Sequence, residues 1–302
     1  MGILVVGSLA LDSVKTPSGY RDEILGGSAT YFSVAASYFA PVSIVAVVGD
    51  DFPDTHVAFF HQKGIDTAGL QRRPGKTFRW KGEYAQDLNT AKTLETHLNV
   101  FADFNPSMRS EHRSLEYLFL GNIDPDLQRS VLEQMRRPKV VACDTMNYWI
   151  NHKRDSLLKT LSMIDILVIN DAETKQLAGE SNLICAARRV LSWGPKTLVV
   201  KRGEYGALMF KAKSVFGAPA FPIEEVVDPT GAGDSFAGGF MGYLAACGAT
   251  NEEAMRKAIV FGSVMASFNV SEFGPQRLGE LTFTEIEARF REFRKLTYFE
   301  DI

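Results

Sequence analysis

The chain has 302 residues, of which 45% are hydrophobic and 23% are charged. These are ordinary values for a soluble globular protein, and the length suits one large α/β domain. The net charge of -3 excludes a global basic field, so nucleic acid and anionic membranes are not expected partners. No stretch reaches the roughly 18 apolar residues that a membrane span needs. Any phosphate must therefore be bound locally.

The N-terminus and the cysteines bear on the cellular compartment. The first residues are apolar, carry no basic leader and run into Asp12, which predicts a buried strand rather than a signal peptide. Cys143, Cys185 and Cys247 lie far apart in apolar surroundings and have no metal-ligand spacing, so we expect buried free thiols. These features predict a cytoplasmic protein.

Short apolar runs alternate with helical patterns along most of the chain. The runs that predict buried strands are residues 3–6, 42–48, 117–120, 140–142, 166–169 and 197–200. Helices with apolar residues three or four apart are predicted within residues 28–40, 54–65, 125–137 and 183–194. This alternation predicts a mostly parallel sheet covered by helices on both faces, with ligands at the carboxyl ends of its strands.

Two later segments depart from that alternation. Residues 77–104 have a period nearer two, with strand-like runs at 77–85 and 93–101, which indicates a small antiparallel flap. An ordinary surface hairpin is the alternative. After Asp234 the sequence is helical almost to its end, and the first of these helices is apolar on nearly every side, so it is predicted to be buried.

The stretch VVDPTGAGDSFAGGF, residues 226–240, contains the most informative local pattern. Val226 and Val227 are predicted to form a strand that Pro229 ends, and Thr230 is predicted to cap a helix. That helix is predicted to open with three small residues, Gly231, Ala232 and Gly233. Free amides at such a helix start, together with the helix dipole, form an anion site.

Asp234 follows directly, in the first turn of that helix. One interpretation is a structural acid that complements the helix dipole. The other is a base that takes a proton from an attacking hydroxyl during phosphoryl transfer, because a carboxylate beside a bound anion needs a chemical task. The residue types alone leave both open.

The run Asp228-Pro229-Thr230-Gly231-Ala232-Gly233-Asp234 resembles the C-terminal signature of the ribokinase family, the PfkB-type carbohydrate kinases. The resemblance implies an α/β fold, a ribokinase-like three-layer α/β/α sandwich with a mostly parallel central sheet and a small β lid. It implies one kinase domain over residues 1–302, with residues 12–26 and 77–104 contributing to the lid. Asp234 would be the catalytic base, and residues 231–233 would form the anion hole.

Further motifs extend the resemblance to the acceptor site. GSLALDSV resembles the family's first strand, whose final aspartate holds substrate hydroxyls, and Asp12 occupies that position. Gly26 and Gly27 resemble the di-glycine that contacts substrate through its backbone. Tyr31 stands where ribokinases carry an asparagine, so ribose is not expected to be held in their manner; a role as core filler is the alternative. Two more polar substrate contacts are implied after a strand, at Asp144 and Asn147.

The nucleotide and metal sites are also implied by position. Asn170 and Glu173 match the family's N-x-x-E, which helps to place Mg²⁺ through water; a helix cap with its capping-box acid is the alternative. Residues implied to line the nucleotide are Lys201, Gly203, Gly206, Thr230, Gly231, Gly233 and Asn269. Lys201 departs from the small polar residue that is usual there. Either Lys201 or Arg202 contacts an ATP phosphate, or both face solvent beside Glu204. Asp228 is the side-chain candidate for a monovalent cation such as K⁺.

Taken together, the sequence predicts an ATP- and Mg²⁺-dependent kinase that phosphorylates a primary hydroxyl of a small sugar or sugar derivative. The alternative is a nucleoside kinase of the same family, favoured by Tyr31 and the flap aromatics such as Trp80. A non-catalytic sugar or nucleotide sensor is a third interpretation. The chain contains neither a P-loop pattern nor a G-x-G-x-x-G after its first strand. The expected partner is a small molecule, with a homodimer through the lid.

Overall fold

The computed structural model describes residues 1–298 and 300. Its strands are β1 (Ile3–Val6), β2 (Ala10–Thr16), β3 (Gly19–Gly26), β4 (Val42–Gly49), β5 (Asp66–Arg73), β6 (Arg79–Tyr84), β7 (Ala91–His97), β8 (Tyr117–Leu120), β9 (Val140–Asp144), β10 (Ile166–Asn170), β11 (Thr197–Lys201), β12 (Ala207–Phe210) and β13 (Val215–Ala218). Its α-helices are α1 (Ser28–Ser37), α2 (Asp54–Gln62), α3 (Pro125–Gln134), α4 (Asn147–His152), α5 (Arg154–Leu161), α6 (Asp171–Ala178), α7 (Leu183–Leu191), α8 (Ala232–Cys247), α9 (Glu252–Asn269), α10 (Gln276–Glu280) and α11 (Phe283–Thr297).

Nine of these strands form the main sheet, in the order β13-β12-β11-β10-β9-β8-β1-β4-β5. Neighbouring strands are parallel from β5 to β11, whereas β12 and β13 run antiparallel. Because successive side chains of a strand point to opposite faces, Ile3 and Val5 pack into one core and Leu4 and Val6 into the other. The apolar strand runs follow from this two-sided burial.

Helices cover both faces of the main sheet and complete the predicted three-layer α/β/α sandwich. The core on one face contains residues of α1, α8, α9 and α11, and the core on the other contains residues of α3, α5, α6 and α7. Helix α8 packs closely on α1, since a Cβ on Gly238 would lie 2.3 Å from the Phe32 carbonyl oxygen. Only glycine at this position permits that approach.

A second, four-stranded sheet has the order β3-β2-β6-β7. Strand β2 pairs antiparallel with β3 and parallel with β6, and β6 and β7 form an antiparallel hairpin. The second predicted strand of this region, 93–101, is displaced, because β7 ends at His97 and a 3₁₀ turn follows at Asn99–Asp103. Asn99 adopts a positive φ of 51°, which takes the chain out of the extended conformation.

The cysteine prediction was wrong for two of the three residues. Cys143 is buried in β9, but Cys185 and Cys247 are exposed. Cys185 lies on the solvent side of the amphipathic helix α7, and Cys247 is the last residue of α8, so apolar neighbours in the sequence did not determine their burial. Within the part of the chain that the structure describes, no helix has the length and apolar character needed to cross a membrane.

Candidate active site

Helix α8 begins without a side-chain cap. Its N-cap is Gly231, in the left-handed conformation with φ of 74°, and no side chain caps the helix there. The prediction that Thr230 caps the helix was wrong, and so was the predicted strand at Val226 and Val227, because the chain there has no regular secondary structure. Asp228 Oδ1 accepts a hydrogen bond from the Thr230 amide at 2.9 Å, which forms a tight turn. Thr230 therefore lies one residue before the N-cap, Gly231. The Thr230 hydroxyl instead donates toward the Tyr84 hydroxyl at 3.4 Å.

The open start of α8 leaves backbone donors free. The amides of Ala232 and Ser235 donate hydrogen bonds to the carbonyls of Pro229 and Gly231, respectively. The Thr230 carbonyl accepts the Asn269 side-chain amide at 2.7 Å. Among the described residues, the amides of Gly233 and Asp234 donate a hydrogen bond to no acceptor. Two free amides at the positive end of a helix dipole are suited to binding an anion such as phosphate.

Asp234 lies in the first turn of α8, partly shielded from solvent. Burial and, to a smaller extent, the charge of Asp144 raise the pKa of its carboxyl to about 7, while the charge of Lys201 opposes both. A carboxyl that titrates near neutral pH can accept a proton from a hydroxyl without being permanently ionised. Such a value is typical of a general base.

Lys201 and Asp144 face Asp234 from the carboxyl ends of two strands of the main sheet. Lys201 ends β11 and Asp144 ends β9, with β10 between them. The Lys201 Nζ donates to Asp144 Oδ2 at 3.3 Å, and the two side chains are only 19% and 8% exposed. Burial opposes the charge of Lys201, but Asp144, Asp234 and Glu173 together raise its pKa. Lys201 therefore faces the site rather than solvent.

Asp12 is buried against the di-glycine that precedes α1. A Cβ on Gly26 would lie 1.9 Å from Asp12 Oδ2, so only glycine leaves room for the carboxyl. Burial raises the pKa of Asp12 to about 7; the Gly27 amide opposes this by hydrogen bonding, while the charges of Asp228 and Asp234 add to it. The Gly27 amide, predicted to contact substrate, here faces Asp12. Asp12, Asp228 and Asp234 are thus close enough to interact electrostatically, and we call these three carboxyls the acidic group.

Tyr31 lies beside this group, fully buried on α1. Its ring packs so closely on Gly231 that a Cβ there would lie 2.3 Å from the ring. Its hydroxyl is buried and has no hydrogen-bond partner among the described residues. Burial raises the pKa of Tyr31 well above its usual range, and the charges of Asp12 and Asp228 act in the same direction. The residue is packed in the core and still directs an unsatisfied polar atom toward the acidic group.

Asn170 and Glu173 form a complete capping box at the start of α6. Asn170 Oδ1 accepts the Glu173 amide at 2.8 Å, and Glu173 Oε2 accepts the Asn170 amide at 3.3 Å. Burial raises the pKa of Glu173 to about 7, and the charge of Asp144 adds to this while Lys201 opposes it. The structural alternative raised from the sequence is thus present, and the carboxyl also borders the Lys201 pair.

Asn147 is the other polar residue that was predicted to contact substrate. It is exposed at the start of α4, and its side chain makes no hydrogen bond to another described residue. Its backbone amide hydrogen-bonds toward Glu173. The structure therefore places Asn147 on the Glu173 side of the site.

The turn after β11 requires both of its glycines. Gly203 and Gly206 have φ of 53° and 82°, and a Cβ on Gly206 would lie 2.1 Å from the Ala218 carbonyl oxygen. The tip of the β6–β7 hairpin reaches this turn, because Asn89 Nδ2 donates to Glu204 Oε1 at 3.3 Å. The second sheet thus touches the main domain at the turn that was predicted to bind nucleotide.

Two buried polar residues hold the α8 motif in place. The Asn269 amide donates to the Thr230 carbonyl and accepts the Ser235 hydroxyl at 3.1 Å. Asp228 Oδ2 accepts the Gly274 amide at 3.3 Å, which links the motif to the loop after α9. Both side chains are used to fix the backbone of the motif, and their predicted contacts to nucleotide and to a cation stay predictions.

Tyr84 and Asn89 were missed by sequence reasoning. Both come from the β6–β7 hairpin, and Tyr84 contacts a residue 146 positions away in the chain. A tyrosine in a strand and an asparagine in a polar turn are ordinary residues at those positions, so the local sequence carries no signal of their contacts.

The fold and the site define a class of enzyme, the α/β kinases in which a glycine-rich helix start and an aspartate lie at the carboxyl ends of parallel strands. The model of the pfkB family carbohydrate kinases matches residues 4–280, and the chain belongs to that family. It is 30% identical over 246 residues to a cytidine kinase from Thermococcus kodakarensis, covering 80% of this chain and 87% of that protein.

Solved structures support the same fold. A Burkholderia thailandensis nucleoside kinase in complex with inosine superposes with a TM-score of 0.78 at 20% identity, over 96% of this chain and 97% of that chain. A putative ribokinase II from E. coli in complex with ATP and Mg²⁺ superposes with a TM-score of 0.77 at 20% identity, over 96% and 99% of the two chains. The ribokinase-like fold predicted from the sequence is confirmed, and the protein is a kinase.

Proposed function

We propose that this kinase transfers the γ-phosphoryl group of ATP to the primary hydroxyl of a nucleoside. The observation that carries the proposal is the pairing of a raised-pKa carboxyl, Asp234, with free amides at the same helix start. Base and anion site must lie together for in-line attack on a phosphoryl group.

On the acceptor side, Asp12 is the group suited to hold substrate hydroxyls. A buried carboxylate accepts hydrogen bonds from a diol, and its own burial is then compensated. The unsatisfied Tyr31 hydroxyl borders the same space and can donate to or accept from a substrate hydroxyl. Gly26 and Gly27 leave room for the Asp12 carboxyl and bring the chain close to it.

On the phosphoryl side, the amides of Gly233 and Asp234 stabilise negative charge that develops during transfer. Asp234 accepts the proton of the attacking hydroxyl at its carboxylate. Ala232, in the same turn, adds only a methyl group. Thr230, held by Asn269, sets the angle at which the motif enters α8.

The residues present fit ATP and Mg²⁺. The free α8 amides and the ammonium of Lys201 offer anion-binding groups, and the turn at Gly203 and Gly206 follows Lys201 in the chain. Within the described residues, no cluster of three His, Cys, Asp or Glu could hold a metal alone, so Mg²⁺ would be held largely by phosphates and water. Asn170 and Glu173 are the residues that would orient that water. Bound Mg²⁺ would neutralise phosphate charge.

A nucleoside is favoured over a free sugar by the comparisons. The cytidine kinase matches 80% of the chain, and the nucleoside kinase that binds inosine shares the fold over 96% of it. The second sheet would act as a lid, and it supplies Tyr84 at the edge of the site. The aromatic ring of Tyr84 is suited to contact a nucleobase. A free sugar remains the second candidate, because the matching family is that of the carbohydrate kinases.

The test is a substrate panel with ADP release as the readout. Cytidine, adenosine, inosine, ribose, deoxyribose and fructose are each supplied with ATP and Mg²⁺, and mass spectrometry then identifies the phosphorylated product. We expect at least one nucleoside to give a kcat/KM about 100 times that of any free sugar, a difference of about 2.7 kcal/mol. A free sugar as the best acceptor would contradict the nucleoside assignment, and binding without turnover would identify a sensor.

Three accompanying expectations are also proposals. A K⁺ requirement would involve the loop tied to Asp228, and replacing K⁺ with choline in the assay tests it. A homodimer would use the second sheet, where Tyr20 and Leu94 are 46% and 43% exposed, and sedimentation velocity tests it. A cytoplasmic location is tested by cell fractionation.

A further inference from the structure

Lys201 occupies an electrostatically unusual position. A Cβ on Gly233 would lie 2.7 Å from its Nζ, so the ammonium stands directly in front of the first turn of α8. The start of a helix carries a partial positive charge and favours anions, not cations. In this structure Lys201 is held there by Asp144 at 3.3 Å, with Asp234 and Glu173 nearby.

This arrangement is suited to a bound anion. A phosphate oxygen placed at the free amides of Gly233 and Asp234 would meet the ammonium and the helix dipole together. Before the anion binds, Asp144 compensates the charge of Lys201. Because Gly233 has no side chain, nothing separates the ammonium from the backbone amides.

We propose that Lys201 is a catalytic residue that donates a hydrogen bond to the γ-phosphoryl group during its transfer, and that Asp144 is the positioning residue that aims the ammonium. This inference rests on the proposed function and adds a side-chain donor to the two amides. No bond to Lys201 forms or breaks. The phosphoryl group passes from ATP to the acceptor hydroxyl oxygen, ADP leaves, and the hydroxyl proton goes to Asp234.

Lys201→Met tests the donor, with Lys201→Thr as a smaller polar replacement. Lys196→Met is the matched control, because Lys196 precedes the same strand and pairs with Asp165 at 2.7 Å but is 80% exposed. With the best acceptor of the panel, we expect both Lys201 variants to lower kcat by about 10² to 10³ fold, the usual loss on removing one transition-state donor. The control should stay within about twofold of the unmodified protein. A Lys201→Met protein that is folded by circular dichroism and has normal kcat would overturn the proposal.

Binding measurements test the γ-phosphoryl contact without turnover. Calorimetry compares ADP with the non-hydrolysable analogue β,γ-imido-ATP, both with Mg²⁺. Lys201→Met should weaken the analogue by about tenfold while ADP affinity changes by less than about threefold. Equal losses for both nucleotides would place the ammonium on the other phosphates and contradict the proposal.

The double variant Lys201→Met, Asp144→Asn separates chemistry from packing. Removing Lys201 alone leaves the buried Asp144 carboxylate without its partner, which by itself disturbs the site. The double variant removes both charges. If Lys201 contacts the phosphoryl group, kcat stays low in the double variant; recovery to near the normal kcat would show that the pair is structural and overturn the proposal.

The pH profile supplies a readout that packing would not move. Groups that face Asp234 are Asp144, Lys201, Asp12, Tyr31 and Tyr84. Since Asp144 raises and Lys201 lowers the pKa of Asp234, the acid limb of kcat/KM for MgATP should shift down in Asp144→Asn and up in Lys201→Met. Shifts in one common direction would contradict the arrangement. An unmodified protein that turns over no acceptor would instead refute the proposed function, which separates the two failures.

Discussion

Two helices that begin at the carboxyl edge of the main sheet, α6 and α8, differ in how the free backbone amides of their first turns are treated. At α6 the side chains of Asn170 and Glu173 satisfy the free backbone amides through a reciprocal capping box. At α8 the N-cap is Gly231, no side chain caps the helix, and the amides of Gly233 and Asp234 find no partner among the described residues. Lys201 lies near both.

The difference indicates which start serves chemistry. An asparagine cap gains about 1 kcal/mol of helix stability over alanine, whereas a glycine N-cap such as Gly231 gives up about 0.3 kcal/mol of that gain. The chain retains the open start at α8 and surrounds it with titrating carboxyls, so its free amides are available to a ligand. The closed start at α6 stabilises the fold and holds Glu173 in a fixed orientation beside the site.

Asp234→Asn has the largest expected effect, because it removes the proposed base from the open start without changing its shape. Turnover should fall by about 10² to 10⁴ fold with folding intact, as measured by ADP release. Asp155→Asn is the matched control, since Asp155 is an exposed acid in the first turn of α5. Normal turnover in a folded Asp234→Asn protein would exclude the base assignment.

Asn170→Ala breaks the closed start and should act mainly on stability. We expect a loss of about 1 kcal/mol in the free energy of unfolding, measured by urea denaturation, because one cap is removed. Thr282→Ala is the matched control, since Thr282 and Glu285 form the capping box of α11. If Asn170 also helps to place Mg²⁺, its variant alone should need more Mg²⁺ for half-maximal activity. Identical Mg²⁺ curves for the two variants would restrict Asn170 to capping.

Asp12→Asn should sharpen the electrostatic side of the comparison. Because burial raises the folded-state pKa of Asp12 to about 7, the stability it contributes is present below its unfolded pKa and is lost as pH rises toward 7. The variant should therefore raise Tm at about pH 8 and have little effect at about pH 4.

Asp126→Asn is a control of opposite sign for that measurement. Hydrogen bonds from Ser156 and Lys153 lower the pKa of Asp126, so its ionised form stabilises the fold above its unfolded pKa. Its replacement should lower Tm at about pH 8. A lower Tm in the Asp12 variant at that pH would contradict the burial argument.

The buried strands could be predicted from sequence because burial on both faces requires continuous apolar runs. The amphipathic helices could be predicted because burial of one face gives apolar residues three or four apart. Strand β5 was not predicted. It lies at the edge of the sheet, and its sequence DTAGLQRR is largely polar and partly exposed. Edge strands carry no such signal, since one side of the backbone and much of the side-chain surface remain in solvent.

The site could be predicted as far as local motifs reach. The α8 motif is contiguous in the sequence, and its glycines weaken a helix unless a close approach requires them, so the pattern is visible without the fold. The contact of Lys201 with Asp144 and the approach of Tyr84 depend on strand order and on the docking of the second sheet. Such long-range geometry leaves no mark in the local sequence. Thr230 was misassigned as the cap because α8 begins one residue later than predicted, with Gly231 as its N-cap.

The central claim is that Asp234 acts as the general base at the uncapped start of α8. Its most direct test is the pH dependence of kcat/KM for MgATP in the unmodified protein. Burial and Asp144 raise the pKa of Asp234 to about 7, so a base at this position is active only when deprotonated. The account predicts that kcat/KM rises about tenfold per pH unit below about pH 7, levels off above it, and loses this limb in Asp234→Asn. A flat profile between about pH 5 and pH 8 in the unmodified protein, or the same limb in Asp234→Asn, would contradict it.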